Sequence, residues 1–419
     1  MDPVRLSLVR LLFIIPWPLD DPLTRSTVIP HLTALAADPR VESIALFAPA
    51  RFAVPTSGGA AERRQPMLLP EVVEHHPLPV RASAIPLLSR LRHHQHCSRL
   101  LQREAERIKP QLTICRGAAS IHGALLQRRL AIPFVAESFE PHAHYMRQTG
   151  TWSRWDPKYL VQVSWEERVK RCAAALITVS HGYARHLKER DGVPAARLRT
   201  VPCWVDGERF RINPEARMRL RHELGIGERL ALIYVGKFGG IYSPLGELAI
   251  LGQLKRHLVR PLFVIVLSSM EADAVRLQLH RAGFSPWDSY VSCVPHEHVA
   301  DYLNAADLAV SFINSGPWSF ACSAIKHGEY WACGLPVLMP PGVGDESTWL
   351  ETERVGAIAP FNNPQAVQSA ATRLQQILAE PGHRQRIRAV GLRERSKASL
   401  TATYRWMLDR LELGSLGSA

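Results

Sequence analysis

One rhythm runs through this chain twice and limits what it can become. Short apolar runs at Leu11–Ile15, Ser43–Phe47, Leu112–Cys115, Pro133–Glu137, Leu176–Val179 and Arg199–Pro202 alternate with helical periodicity around residues 27–37, 84–108, 118–129, 158–173 and 182–190. Strands buried on both faces of a parallel sheet read as such near-continuous apolar runs. The second half repeats the pattern, with strands expected at Leu230–Val235, Leu262–Leu267, Tyr290–Val294, Leu308–Phe312, Pro336–Met339 and Ala357–Pro360. Helices are expected there at 244–257, 270–282, 297–305, 323–333 and 364–379. This alternation implies an α/β fold with two Rossmann-like, doubly wound domains facing across a cleft, which suits a chain of 419 residues. The expected division is 1–205 for the first domain, 206–395 for the second, and 396–419 for a C-terminal helix packing back on the first. Around the join, Asp206, Gly207, Asn213 and Pro214 supply turn and helix-start chemistry.

Composition excludes several classes. A hydrophobic fraction of 46% with 21% charged residues is that of a chain that folds into sizeable cores. No apolar run approaches the roughly 18 residues of a membrane-spanning helix, because Pro16, Pro18 and scattered arginines interrupt the best candidates. Pro16-Trp17-Pro18 also follows Leu11–Ile15 where an export signal would continue its apolar core, so a cytoplasmic protein is expected. Seven cysteines, odd in number and without a CxxC pair, read as reduced thiols. The net charge of +13 leaves polyanionic partners open: nucleic acid, an anionic membrane surface or a phosphorylated substrate. No nucleic-acid motif accompanies the charge, and neither half carries a GxGxxG after its first strand, which disfavours a dinucleotide-dependent dehydrogenase.

In open α/β sheets ligands bind beyond the carboxyl ends of the strands, so chemistry is sought there. The strand ending at Val235 runs into Gly236-Lys237-Phe238-Gly239-Gly240, whose three glycines would leave N–H groups open to an anion beside the Lys237 charge. A tight turn with a surface lysine is the alternative. A second place is Ser323-Ala-Ile-Lys326-His-Gly-Glu329-Tyr330-Trp-Ala-Cys-Gly334-Leu-Pro336, where Ser323 is expected to cap a helix that Gly334 ends. Lys326 in the first turn opposes the helix macrodipole unless an anion there is shared by both, and Glu329 on the same face could accept the hydroxyls of a ribose. An ordinary surface Lys–Glu pair is the competing account. In the first half, Glu140 and His142 lie just past the Pro133 strand and could orient or deprotonate a hydroxyl, or Glu140 could merely cap a helix. His142 and His144, like His93-His94-Gln95-His96-Cys97, lack the companions of a metal site, and no metal is expected. The latter run lies in a basic amphipathic stretch, Arg81 to Lys109, that could meet an anionic membrane or pack on its own sheet.

The string from Lys326 to Val337 resembles the signature of retaining family-4 glycosyltransferases. Leu176–Ser180, Val201-Pro202 with Val205-Asp206 and Phe210, Val235-Gly236-Lys237 and Asn304–Leu308 fall in that family's order. The resemblance implies a GT-B fold and transfer of a sugar from a nucleoside-diphosphate sugar to a hydroxyl of a glycan, lipid-linked or small-molecule acceptor, with retention of configuration. It implies a donor site of Gly236, Lys237, Gly239, Gly240, Val294, Ser323, Lys326, Glu329 and Tyr330, catalysis helped by Lys237 and Lys326, and no metal or other cofactor, while Glu140 and His142 stay the acceptor-side catalytic candidates that their position past the strand suggests. A role in polysaccharide biosynthesis at the inner face of the cytoplasmic membrane would follow. Three positions depart from the pattern: Ala321 stands where many members have the first of two glutamates, Ser243 replaces a loop lysine, and Phe139 replaces a first-domain histidine. Two alternatives stay open: a nucleotide-sugar epimerase or hydrolase of the same architecture, which needs an acid/base pair in the cleft that Glu137, Glu140 and His142 could supply, and a catalytically inactive binding protein, which the three departures suggest.

Overall fold

The computed structural model describes residues 8–19, 21–50, 68–79, 86–412 and 414–416. Its first sheet contains β1 (Val9–Ile14), β2 (Val41–Pro49), β3 (Val73–Leu78), β4 (Leu112–Arg116), β5 (Phe134–Phe139), β6 (Ala175–Thr178) and β7 (Leu198–Thr200), in the order β3-β2-β1-β4-β5-β6-β7. The second contains β8 (Leu230–Val235), β9 (Leu262–Leu267), β10 (Ser289–Ser292), β11 (Leu308–Val310), β12 (Val337–Met339) and β13 (Gly356–Ile358), in the order β10-β9-β8-β11-β12-β13. Every pairing within the two sheets is parallel. The order reverses beside β1 and β8, so each sheet opens a crevice where those strands end.

β3 was not expected. Its sequence, Val-Glu-His-His-Pro-Leu, lacks an apolar run because it lies at the sheet edge with only its ends buried, where Pro77 is tolerated. The expected helix 27–37 is broken into Pro22–Thr27 and Ile29–Ala36, with Pro30 in the first turn of the second piece. The basic segment after Pro381 forms the helix His383–Glu394.

The chain leaves the second sheet through that helix and returns to the first. Leu400, Tyr404, Met407 and Leu408, from the helix Lys397–Glu412, are buried with Leu11, Phe13, Leu32, Ile44 and Leu46 of the first sheet's core. At the crossing, the Val205 N–H donates to the Arg395 carbonyl over 3.3 Å, so outgoing and returning segments run side by side. The Arg395 guanidinium, fully buried, donates to Ser323 Oγ and to the Glu346 carboxylate.

The two halves touch elsewhere through side chains that would otherwise be local. Asp345 accepts from the backbone N–H groups of His181 (2.7 Å) and Gly182 (3.0 Å), so the second half adds to the cap that Ser180 gives the helix His181–Glu189 of the first. Trp318 stacks on His144 with ring centroids 4.0 Å apart, and Ser180 Oγ donates to the Phe320 carbonyl over 2.9 Å. Together these contacts close one flank of the cleft.

Candidate active site

The loop after β8 is shaped around one lysine. Gly236 has φ +141°, and a Cβ there would lie 2.5 Å from Lys326 Nζ, so only glycine lets the ammonium approach the backbone. Lys326 Nζ lies 4.7 Å from the ring centroid of Tyr234 and 4.2 Å from that of Tyr242, yet has no hydrogen-bond partner. Two cation–π contacts, about 0.5–2 kcal/mol each, do not replace the lost hydration of a buried ammonium. Burial pulls its pKa down to about 7, against the attraction of Glu329 and with help from the Lys237 charge. Lys237 is exposed, and among the described residues no carboxylate pairs with it. The two ammonium groups thus address the same space.

The expectation of open glycine N–H groups is corrected in part. Gly236 N–H donates to the Leu267 carbonyl (2.9 Å) and Gly239 N–H to the Ser243 carbonyl (3.0 Å), because the sheet and the turn claim them. Gly240 remains exposed, and its carbonyl accepts from Asn314. Tyr330 is fully buried, its hydroxyl accepting from the Val235 N–H over 2.9 Å, so it braces the strand end instead of facing a ligand.

Ser323 is not the helix cap. The helix spans Ile325–Ala332 with Ala324 at the capping position, and the Ser323 hydroxyl accepts from Arg395 and from the Cys203 N–H (3.2 Å) at the crossing between halves. The buried Glu346 carboxylate accepts from the Ala324 N–H over 3.3 Å, so the protein places its own anion at this helix start. The other end is as expected: Gly334 has φ +77°, and Leu335 and Gly334 donate back to the Tyr330 and Trp331 carbonyls. Glu329 is nearly buried and meets His296 Nε2 at 3.0 Å. His296 comes from the loop after β10 that also holds the half-buried Val294. Its pairing with Glu329 was not anticipated.

On the first-domain side the strand end is bent. Ser138 has φ +49°, rare for a residue with a side chain, and the register of β5 against β6 shifts between Glu137 and Phe139. The bulge turns Glu137 inward, where it is bound by His31, Arg116 and Tyr404 and is 1% exposed. Burial alone would raise its pKa, but the charges of His31 and Arg116 and the hydrogen bonds from His31 and Tyr404 hold it at about 2. Glu137 is therefore no cleft acid. Glu140 differs: burial pushes its pKa up to about 7, opposed only by Arg116, and its charge is felt by the Tyr242 hydroxyl of the second half. It does not cap the next helix, since Glu166 accepts from the Ala143 N–H over 2.9 Å. His142 packs edge-on against Trp152 at 5.7 Å, and His144 is engaged by Trp318. Ala321 is fully buried among Phe139, Tyr145 and Tyr183. Ser243 is buried and bonds backbone to Phe312.

No group of three histidine, cysteine or acidic side chains among the described residues could hold a metal ion. All seven cysteines are free. In the basic stretch the side chains of residues 81–93 lie outside those described, while Leu101 is fully buried and Leu100 and Ile108 pack beside it on the sheet. No described helix is long and apolar enough to cross a membrane.

Residues 50–209 match Glycosyltransferase Family 4. A D-inositol 3-phosphate glycosyltransferase of Nocardiopsis dassonvillei is 27% identical over 279 residues, 63% of this chain and 61% of that protein. A protein of the same name from Catenulispora acidiphila is 28% identical over 219 residues, 50% of this chain and 49% of the relative. The chain thus spans about half to three-fifths of the length of these curated relatives. Among solved structures, HepE of Anabaena in complex with UDP superposes with a TM-score of 0.67 over 96% of this chain and 99% of that one, at 14% identity. Two parallel sheets of seven and six strands with this likeness make the fold GT-B. By matched pattern, relatives and fold, the chain is similar to members of glycosyltransferase family 4.

Proposed function

We propose that the protein transfers a sugar from a nucleoside-diphosphate sugar to an acceptor hydroxyl with retention of configuration. One observation carries this reading: a buried ammonium, Lys326, without a hydrogen-bond partner, held under Gly236 and beside the exposed Lys237. A diphosphate would supply the missing acceptor and let both lysines stabilise the departing charge. Lys326 also supplies a second cation where Ser243 does not. Glu329 with His296 would hold the ribose, and Glu140 would face the acceptor. The departing phosphate would take the acceptor's proton, and no metal would be required. HepE was solved with UDP-glucose, which makes a uridine nucleotide the first donor to try. The two relatives named for D-inositol 3-phosphate make a phosphorylated polyol one acceptor class to test. Contact with an anionic membrane would rest on positive charge, since Leu100, Leu101 and Ile108 are used inside the domain.

The test is a thermal-shift titration with UDP, GDP, ADP and dTDP, repeated on Lys237→Ala and Glu329→Ala. One diphosphate should stabilise the protein preferentially, and both variants should lose most of that shift. Product anomeric configuration, read by NMR with the matching nucleotide sugar, then decides retention. Nucleotide binding followed by release of free sugar in place of transfer would favour a hydrolase working through Glu140, whose raised pKa suits an acid. Absence of any shift at millimolar nucleotide would count for an inactive relative.

A further inference from the structure

We propose that the first domain carries a second ligand site, outside the cleft, for a phosphate ester with an adjoining apolar part. Three helices, Pro86–Ile108, Ser120–Leu130 and Pro157–Cys172, border a half-open cavity of about 710 Å³ lined by Arg99, Arg129, Arg168, Arg171, Trp165 and Leu125, with Arg168 partly buried and the other three arginines exposed. None of these belongs to the cleft described above. The spacing shows that each helix turns one stripe inward: 95 and 99 on the first, 121, 125 and 129 on the second, 164, 168, 171 and 172 on the third.

Four guanidinium groups brought into one concavity repel one another, and folded proteins ordinarily set acids among them. Here no carboxylate lines the cavity, and among the described residues none of the four arginines has an ion-pair partner. The neighbouring acids are spent elsewhere: Glu166 binds the Ala143 N–H and Gln162, and Glu167 binds Lys170. Arg129 is steered only by the neutral Gln102 carbonyl, over 2.7 Å. Arg168 Nε is buried and has no hydrogen-bond partner, a cost that a bound anion would remove. A helix macrodipole explains Arg129 and Arg171, which lie in last turns, but not Arg99 or Arg168, nor the convergence of three helices.

Guanidinium forks match phosphate oxygens two bonds at a time, so this set suits one or two phosphoryl groups. The cavity is in the size range of small-molecule sites and much larger than a bare phosphate, and Trp165 and Leu125 give the remainder an apolar wall. A soluble phosphorylated metabolite and the headgroup of an anionic lipid share this chemistry.

Calorimetric titration with inorganic pyrophosphate, with monomeric dihexanoyl phosphatidic acid and with dihexanoyl phosphatidylcholine separates the sources. The double variant Arg168→Gln, Arg171→Gln should bind at least tenfold more weakly with an unchanged melting temperature. Binding of phosphatidic acid without pyrophosphate supports the site and assigns it to a lipid headgroup; binding of both supports it and assigns it to free phosphates. Phosphatidylcholine binding equal to phosphatidic acid, equal affinity of the double variant, or no binding of either phosphate probe to the wild-type protein overturns the proposal.

Discussion

Under the proposed function, the protonation of Lys326 would tie donor binding to pH in a way that can be counted. Its pKa of about 7 lies far below the ordinary lysine range because burial disfavours the charge. A diphosphate against the ammonium reverses that balance, so the complex holds a proton that the free protein lacks whenever the pH exceeds 7. At pH 8 about nine in ten free molecules are neutral at this lysine, and binding should take up about 0.9 proton per nucleotide. Affinity should fall about tenfold per pH unit above 7, about 1.4 kcal/mol for each step, until the pKa of the complex is reached. The terminal phosphate of UDP, with a pKa near 6, is already ionised and contributes little. Calorimetry at pH 8 in buffers of different ionisation enthalpy reads the proton count directly, and Lys326→Met should abolish it. The sign for stability runs the other way in the absence of nucleotide. The folded pKa is lowered, so between about pH 7 and the ordinary lysine range the unfolded chain binds more protons and the free protein gains stability as pH rises. Proton-free binding by the wild-type protein, or the same uptake by Lys326→Met, would refute the assignment of the diphosphate to this lysine.

Two further predictions concern the crossing segment and the contacts between halves. Arg395→Met leaves the buried Glu346 carboxylate with only His327 and the Ala324 N–H, and should cost about 3–5 kcal/mol in urea unfolding, with much of it restored by adding Glu346→Leu; equal losses in single and double variants would show that the pair is not what matters. Asp345→Ala frees the His181 and Gly182 N–H groups while leaving the Ser180 cap of the His181–Glu189 helix, with an expected loss of about 1 kcal/mol and a larger radius of gyration by small-angle scattering, so an unchanged radius would argue that Trp318 and Phe320 hold the flank closed alone.

Where a residue's surroundings come from its own neighbours, the sequence was a good guide. β8 and β9 lie over the expected residues, because central strands flanked on both sides must be apolar along their length. Gly334 ends its helix as read, since a left-handed residue after the last turn is a local demand. Ser323 failed for the opposite reason. Its hydroxyl is claimed by Arg395, 72 residues later, and no local pattern announces that. Glu137 likewise looked like a cleft residue until the Ser138 bulge and Tyr404 drew it into the core. Lys326 was located by its awkward place in a helix, but the tyrosines and the glycine around it come from β8 and the loop after it. β3 carried too little apolar character to be seen at all.

The return of the final helix to the first sheet bears on how the chain is made. Leaving the ribosome, the first two hundred residues carry a strand set whose core lacks Leu400, Tyr404, Met407 and Leu408, and a Glu137 whose tyrosine partner has not been synthesised. The first domain must wait, incomplete, while the second emerges and folds. A nascent chain interrupted before residue 397 would display an apolar seam and a carboxylate stripped of one of its hydrogen bonds. Synthesis of the Lys397–Glu412 helix is thus also the step that completes the first sheet's core.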